Sequence, residues 1–303
     1  MNPLLASKDI EDAYRRYLHS TFSPRTTTLR EAFDWALTSE FRLTRGPLLQ
    51  ASAPFEPGCS VRQLVEEGVL HTGFLRFTDD IFPIDRRLYV HQEVAIRKAV
   101  AEKRNLVVAT GTGSGKTECF LLPTIDALLR EEDEARLADH GVRALFLYPM
   151  NALANDQLRR LRRLLAPFPE IRFGRYVGET VDTAKRAEDD FRERYPREPR
   201  IPNELLSRED MQASPPHILI TNFAMLEYLL LRPRDSSLFD GPTGRHWRTV
   251  ALDEAHVYDG ADGAEIAMLI RRLRDRVVGS ERGRLQCFAT SATMGAVSRT
   301  TRT

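Results

Sequence analysis

The stretch that most constrains this chain is Thr110-Gly111-Thr112-Gly113-Ser114-Gly115-Lys116-Thr117, entered from the apolar run Leu106-Val107-Val108-Ala109 and followed by a helical pattern over 118–129. A short β-branched strand, a glycine-rich turn and a helix start make a concave site in which successive backbone N–H groups face an anion. Lys116 adds a point charge for terminal phosphates, and the Thr117 hydroxyl suits a place on Mg²⁺. The strict pattern has glycine where Thr110 stands, so this is a variant loop. A surface turn of the same composition would not need to lie between a strand and a helix. The loop with its last strand residue, Ala109, is therefore expected to hold a nucleotide.

A second motif lies about 140 residues further on, in Val250-Ala251-Leu252-Asp253-Glu254-Ala255-His256. Here an apolar strand delivers adjacent carboxylates to its C-terminal end, where open parallel sheets bind ligands. Asp253 can reach the same metal ion as Thr117, and Glu254 can orient or deprotonate an attacking water. Lys116, Asp253 and Glu254 are thus the candidate catalytic residues, with Thr117 and Asp253 as metal ligands.

Between and around these motifs, strands and helices alternate, as a parallel sheet requires. Strands are expected at 106–109, 143–148, 171–176, 217–221, 248–252 and 285–289. Residues 181–212, crowded with charges and prolines, read as a solvated insertion, with a clamp on a polymeric ligand as the sharper alternative. Residues 1–84 read as a separate helical region. Ile10, Ala13, Tyr14, Tyr17 and Leu18 share one helical face; Leu29, Phe33, Ala36, Leu37 and Phe41 share another. Thr28-x-x-Glu31 and Ser60-x-x-Gln63 are capping-box patterns, and Gly68 is a helix stop. The segment from Phe74 to Tyr89 reads as a linker or wrapping loop.

A net charge of +1 gives no overall attraction to nucleic acid, and only five of the 44 basic residues are lysines. Arginine favours bidentate phosphate contacts, but a compositional bias explains the same count. Cys59, Cys119 and Cys287 lie far apart without metal-ligand spacing, which argues against a disulfide framework or a zinc site. No secretory pattern opens the chain and no apolar run reaches membrane-spanning length, so a cytoplasmic location without membrane attachment is the expectation.

Taken in order, these motifs resemble the first RecA-like domain of superfamily 2 DEAD/DEAH-box helicases, over about residues 85–296. The resemblance implies an α/β fold: a RecA-like P-loop domain, 85–303, with a mostly parallel sheet flanked by helices, preceded by the smaller helical region 1–84. It implies that Gln92, in Tyr89-Val90-His91-Gln92, meets the adenine edge, for which a side-chain amide is suited because it donates and accepts at once. Pro149 and Asn151 in Pro149-Met150-Asn151-Ala152-Leu153-Ala154-Asn155-Asp156-Gln157 match motif Ia. Gly178 matches a glycine-containing turn, and Thr221 and Asn222 match motif Ib; all three elements contact the nucleic-acid backbone in such proteins. Their plainer reading is a strand-to-helix cap. His256, Ser291 and Thr293 match the groups that couple the γ-phosphate to the nucleic-acid track. The loop, the Tyr-x-His-Gln element and the motif Ia stretch look most like large bacterial DNA helicases of repair or phage-defence type.

The resemblance implies ATP and Mg²⁺ as ligands and nucleic acid, DNA rather than RNA, as partner. Helicases of this kind close a second RecA-like domain on the ATP, bringing an arginine worth about 10³–10⁵ in rate. No second domain is expected in these 303 residues, so the isolated chain is expected to hydrolyse ATP weakly and to need a second RecA-like domain or subunit. The competing readings are a non-catalytic nucleotide- or DNA-binding scaffold and the motor part of a restriction or defence complex.

Overall fold

The computed structural model describes residues 2–40, 54–279, 281 and 283–292. Phe41 and Thr293 of the expectations above lie outside the described residues. The described chain divides into two units, Met1–Pro54 and Phe55–Thr303.

The first unit holds α1 (Pro3–Thr21) and α2 (Thr27–Trp35). Asn2 caps α1 by accepting from the Leu4 N–H at 3.0 Å, and His19 Nδ1 lies 3.0 Å from an oxygen of Asp34. Ile10, Tyr14, Tyr17 and Leu29 remain half or more exposed. α2 starts one residue before the expected box, with Thr26 at its N-cap and no side-chain cap bond.

The second unit runs β1 (Pro57–Ser60), α3 (Val61–Glu66), β2 (Arg87–Tyr89), α4 (Val90–Ala101), β3 (Leu106–Ala109), α5 (Glu118–Asp133), β4 (Ala144–Tyr148) and α6 (Asn151–Leu165). It continues with β5 (Phe173–Arg175), α7 (Ala184–Arg194), β6 (Glu204–Leu205), α8 (Arg208–Ala213), β7 (Ile218–Asn222), α9 (Phe223–Leu231), β8 (Thr249–Leu252), α10 (Gly260–Val277) and β9 (Gln286–Ser291). β1 and β2 pair as a small antiparallel ribbon. The others form a seven-stranded parallel sheet in the order β3-β9-β8-β4-β7-β5-β6.

The strand pattern shows why the sheet is buried on both faces. In β4, Ala144, Phe146 and Tyr148 face the core packed by α5 and α6, with Phe120, Ile125 and Leu161. Leu145 and Leu147 face the opposite core, with Leu226, Trp247 and Leu269. The two-residue period of a strand thus divides one continuous apolar run between two layers.

The boundary expected near residue 84 falls instead between Pro54 and Phe55. Phe74, Phe77, Phe82, Ile84 and Leu88 are buried in the same core as Phe120 and Leu128, so this segment wraps the α/β body rather than linking to it. Its aromatic residues form a run of ring contacts, Phe74–Phe77 at 5.8 Å, Phe77–Phe82 at 5.5 Å and Phe77–Phe168 at 5.1 Å between centroids. The Ser60–Gln63 capping box is formed, with the Gln63 side chain accepting from the Ser60 N–H at 2.8 Å, and Gly68 ends the turn at φ +72°.

Residues 181–212 are solvated over much of α7 and the stretch after it, as the charges suggest, but the segment is anchored in the fold at Phe191 and over 203–211. β6 extends the sheet beside β5. Glu204, 1% exposed, accepts from the buried Arg162 at 2.7 and 2.8 Å, and the rings of Phe191 and Tyr195 cover the same guanidinium at 4.9 and 5.0 Å. Asn203 donates to the carbonyls of Leu165, Phe168 and Ile171 at 2.9, 2.9 and 3.0 Å. A charge count cannot distinguish acids facing water from acids paired under a helix.

Candidate nucleotide and nucleic-acid site

Both decisive motifs leave the sheet at its C-terminal edge. β9 lies between β3 and β8, with Ala109 level with Ser291 and Leu252 level with Ala289. The glycine loop and Asp253 therefore emerge two strands apart, about 10 Å at ordinary interstrand spacing. The loop continues the β3–β9 ladder by one bond, Thr110 N–H to Ser291 C=O at 3.2 Å.

Within the loop, Gly113 and Gly115 take φ of +76° and +70°. Lys116 is buried and its Nζ donates to the carbonyls of Thr110 and Gly111 at 3.0 and 3.1 Å. The hydroxyls of Thr110 and Ser114 are 2.6 Å apart. Gly111, Thr112 and Gly113 are exposed along the mouth. Thr117 precedes α5 and makes no side-chain cap bond, so its hydroxyl is not engaged by the helix it starts.

Gln92 is 3% exposed. Its Oε1 accepts from Tyr89 N–H at 2.8 Å and its Nε2 donates to Gly115 C=O at 2.8 Å. One amide hydrogen and one lone pair are what remain for an adenine edge. A side chain at Gly115 would start 2.3 Å from Gln92 Nε2, so this approach requires glycine.

Asp253 and Glu254 are held by a residue absent from the expectations, Thr290. It is fully buried, level with Val108 on β3, and its hydroxyl donates to Asp253 Oδ1. The Glu254 N–H is 3.2 Å from both Thr290 Oγ1 and Asp253 Oδ1. Asp253 is so oriented through one oxygen, with Oδ2 outside these bonds. Glu254 sits in the left-handed region, φ 50° and ψ 45°, a conformation that costs a non-glycine residue about 1–3 kcal/mol. Its buried Oε2 has no hydrogen-bond donor among the described residues; His256 Nδ1 lies 3.2 Å away without hydrogen-bond geometry. Thr290 stands one residue before the Ser-Ala-Thr tripeptide, and counting strand register from β3 is what would have singled it out. Ser291 ends β9 and is 9% exposed.

The residues expected to meet nucleic acid gather further along the same edge, at the ends of β4, β5 and β7, where Tyr148 is level with Asn222. Asn222 caps α9 by accepting from Met225 N–H at 2.7 Å, and its Nδ2 donates to Asn151 Oδ1 at 2.7 Å. Asn151 reaches Glu179 at 3.4 Å. Pro149 is half-buried before α6, and Gly178 is exposed with nothing near its missing side chain. Thr221 departs from its expected part. It is 0% exposed and its hydroxyl donates to Tyr176 C=O at 2.6 Å, so it braces β5 and presents no hydroxyl to a ligand.

Residues 89–300 match the model of the DEAD/DEAH box helicase family. The chain is similar to Druantia protein DruE of Escherichia coli (strain UMEA 4076-1), 30% identical over 376 aligned positions that cover 96% of this chain and 20% of that protein. It is similar to the ATP-dependent helicase YprA of Bacillus subtilis (strain 168), 30% identical over 190 positions, 62% of this chain and 20% of that protein. Among solved structures, the fold matches DUF1998 helicase MrfA bound to DNA and AMPPNP, with TM-score 0.55 and 24% identity over 80% of this chain and 28% of that one. It also matches DEAD-box helicase Mss116 bound to ssRNA and UDP-BeF, with TM-score 0.56 and 19% identity over 80% of this chain and 42% of that one. The sheet and its helices are thus a RecA-like α/β domain, and the chain spans about a fifth of the length of these two curated relatives.

Proposed function

This chain belongs to the DEAD/DEAH box helicase family, and from that premise we propose that it is the ATP-binding motor domain of a nucleic-acid helicase or translocase. The observation that carries this is the placement of Lys116, Thr117, Asp253 and Glu254 around one sheet edge, with β9 between the two motifs. ATP phosphates would lie on the loop amides, with Lys116 turning from the Thr110 and Gly111 carbonyls to the terminal phosphates.

The residues present fit a magnesium ion. Thr117 has a hydroxyl outside the helix cap, and Asp253 is oriented through Oδ1 with Oδ2 outside those bonds. Bound there, the ion would neutralise charge on the β- and γ-phosphates. Glu254, whose Oε2 lacks a donor among the described residues, would take a proton from the attacking water or orient it. His256 beside it, Ser291 at the end of β9 and Thr293 two residues on in the sequence are the proposed link to the nucleic-acid end. There Pro149, Asn151, Gly178 and Asn222 surround the starts of α6 and α9, whose amides suit phosphates.

DNA is the proposed strand, on the motif resemblance to bacterial DNA helicases, with backbone recognition that weakens as salt rises. A second RecA-like domain, in the same polypeptide or another, would complete the cleft. The test is Glu254→Gln in the chain completed by its second RecA-like domain, in one polypeptide or as two subunits, assayed for ATP turnover with saturating single-stranded DNA and for nucleotide binding. A motor domain loses turnover and keeps binding. A scaffold that only holds nucleotide or DNA changes in neither, and that result would reject the motor reading.

A further inference from the structure

The first turn of α4 holds the glycine loop through two successive residues. His91 Nε2 lies 3.0 Å from Ser114 C=O, and Gln92 Nε2 donates to Gly115 C=O at 2.8 Å. Those two carbonyls are consecutive in the loop. In a planar trans peptide the C=O and the following N–H point in opposite directions. Drawing Ser114 C=O toward α4 therefore turns the Gly115 N–H away from it, and drawing Gly115 C=O does the same for the Lys116 N–H.

We propose that His91 is a positioning residue of the phosphate loop, which with Gln92 fixes two successive peptide planes so that their N–H groups face the nucleotide. This rests on the reading of the loop as an ATP phosphate site. A carbonyl oxygen only accepts, so His91 carries its hydrogen on Nε2. The ring is fixed by its neighbours: Phe55 and Tyr89 lie 5.5 and 5.8 Å from it between centroids, and 5.1 Å from each other. Burial, with the nearby Lys116 ammonium, holds the imidazole pKa below its usual value, against the Ser114 carbonyl and the Glu118 carboxylate, which act in the other direction. The neutral ring with hydrogen on Nε2 is the form this geometry uses at neutral pH. Gln92 is anchored at its other end by Tyr89 N–H. Among the described residues His91 has no such second bond, and its orientation depends on the rings.

The test measures binding of a fluorescent ATP analogue with Mg²⁺ to the full chain. His91→Phe keeps an aromatic ring against Phe55 and Tyr89 but removes the N–H. It should weaken nucleotide binding by about 3- to 10-fold, the scale of one hydrogen bond, and lower the thermal midpoint by only about 2–4 °C, since the Ser114 carbonyl loses one donor. His91→Gln restores an N–H donor and should recover affinity to within about twofold of the parent chain. It also serves if the phenylalanine variant does not fold. Nitrogen-15 spectra of the parent chain should show the Nε2–H tautomer, and this signal should shift when nucleotide binds. Parent-like affinity in both variants would overturn the role of His91 alone. If the parent chain binds no nucleotide, with Lys116→Ala as the matched control, the ATP reading itself fails and the proposal falls with it.

Discussion

The two ends of the functional sheet edge are built differently. At the β3–β9–β8 end, neighbours hold the candidate catalytic groups while leaving carboxylate oxygens outside those bonds: Thr290 fixes Asp253 through Oδ1, and Glu254 Oε2 lacks a donor among the described residues. At the β4–β7–β5 end, the polar side chains satisfy one another. Asn222 bonds Asn151 and caps α9, and Thr221 is buried against Tyr176. What this end offers a ligand is backbone: the starts of α6 and α9 and the open Gly178 turn. Chemistry on one phosphate needs individually aimed side chains, whereas holding any strand in any sequence needs donors that are the same for every base.

The largest expected effect comes from Thr290→Val, which keeps the buried shape but removes the hydroxyl shared by Asp253 and Glu254. Hydrogen bonds to charged groups are worth about 1.5–3 kcal/mol, so ATP turnover should fall about 10- to 10²-fold. Nucleic-acid affinity should be unchanged. A matching loss of affinity would show that the two ends behave as one unit and would break the comparison.

The second effect sets the opposite sheet edge against the site edge, through stability and pH. His217 stands just before β7, at the N-terminal edge of the sheet: its Nδ1 accepts from Arg172 N–H at 3.1 Å, and it is 1% exposed. Burial first, then the Arg143 and Arg172 guanidinium groups, push its pKa down to about 3. The unfolded imidazole protonates near pH 6.5 while the folded one stays neutral. The unfolded state thus binds the extra proton between those values, and stability falls as pH drops from about 6.5 toward 3. The His217 share should reach about 2 kcal/mol at pH 5 relative to pH 7. His217→Gln retains an acceptor for Arg172 and should flatten that part of the dependence in denaturation curves at pH 7, 6 and 5. An unaltered slope would place the acid sensitivity elsewhere.

The same contrast explains what could be read from the chain beforehand. The strands expected at 143–148, 217–221 and 248–252 occur at Ala144–Tyr148, Ile218–Asn222 and Thr249–Leu252, because parallel strands buried on both faces are continuous apolar runs. The glycine loop was legible because its backbone conformations leave a local mark in the sequence. What was not legible depends on partners far along the chain. Glu204 looks solvated until Arg162, on α6, lies against it. Thr221 looks like a phosphate donor until the Tyr176 carbonyl meets its hydroxyl. Thr290 and His91 acquire meaning only from strand register and from the loop that α4 touches.

The smallest effect tests the nucleic-acid end directly. Asn222→Ala removes the α9 cap and the bond to Asn151 together. Loss of an N-cap costs about 1 kcal/mol of stability. If backbone amides carry the contact, the α9 amides remain in place, although the helix start is less well held. Affinity for single-stranded DNA should then fall only about two- to fivefold. Its salt slope should be unchanged, because no cation has been removed from the phosphates. Nucleotide affinity should be that of the parent chain. A loss of DNA affinity far beyond the stability change would mean that the asparagine side chain itself reaches the strand, leaving its bond to Asn151 when nucleic acid arrives. The two ends would then share one design, with aimed side chains at both.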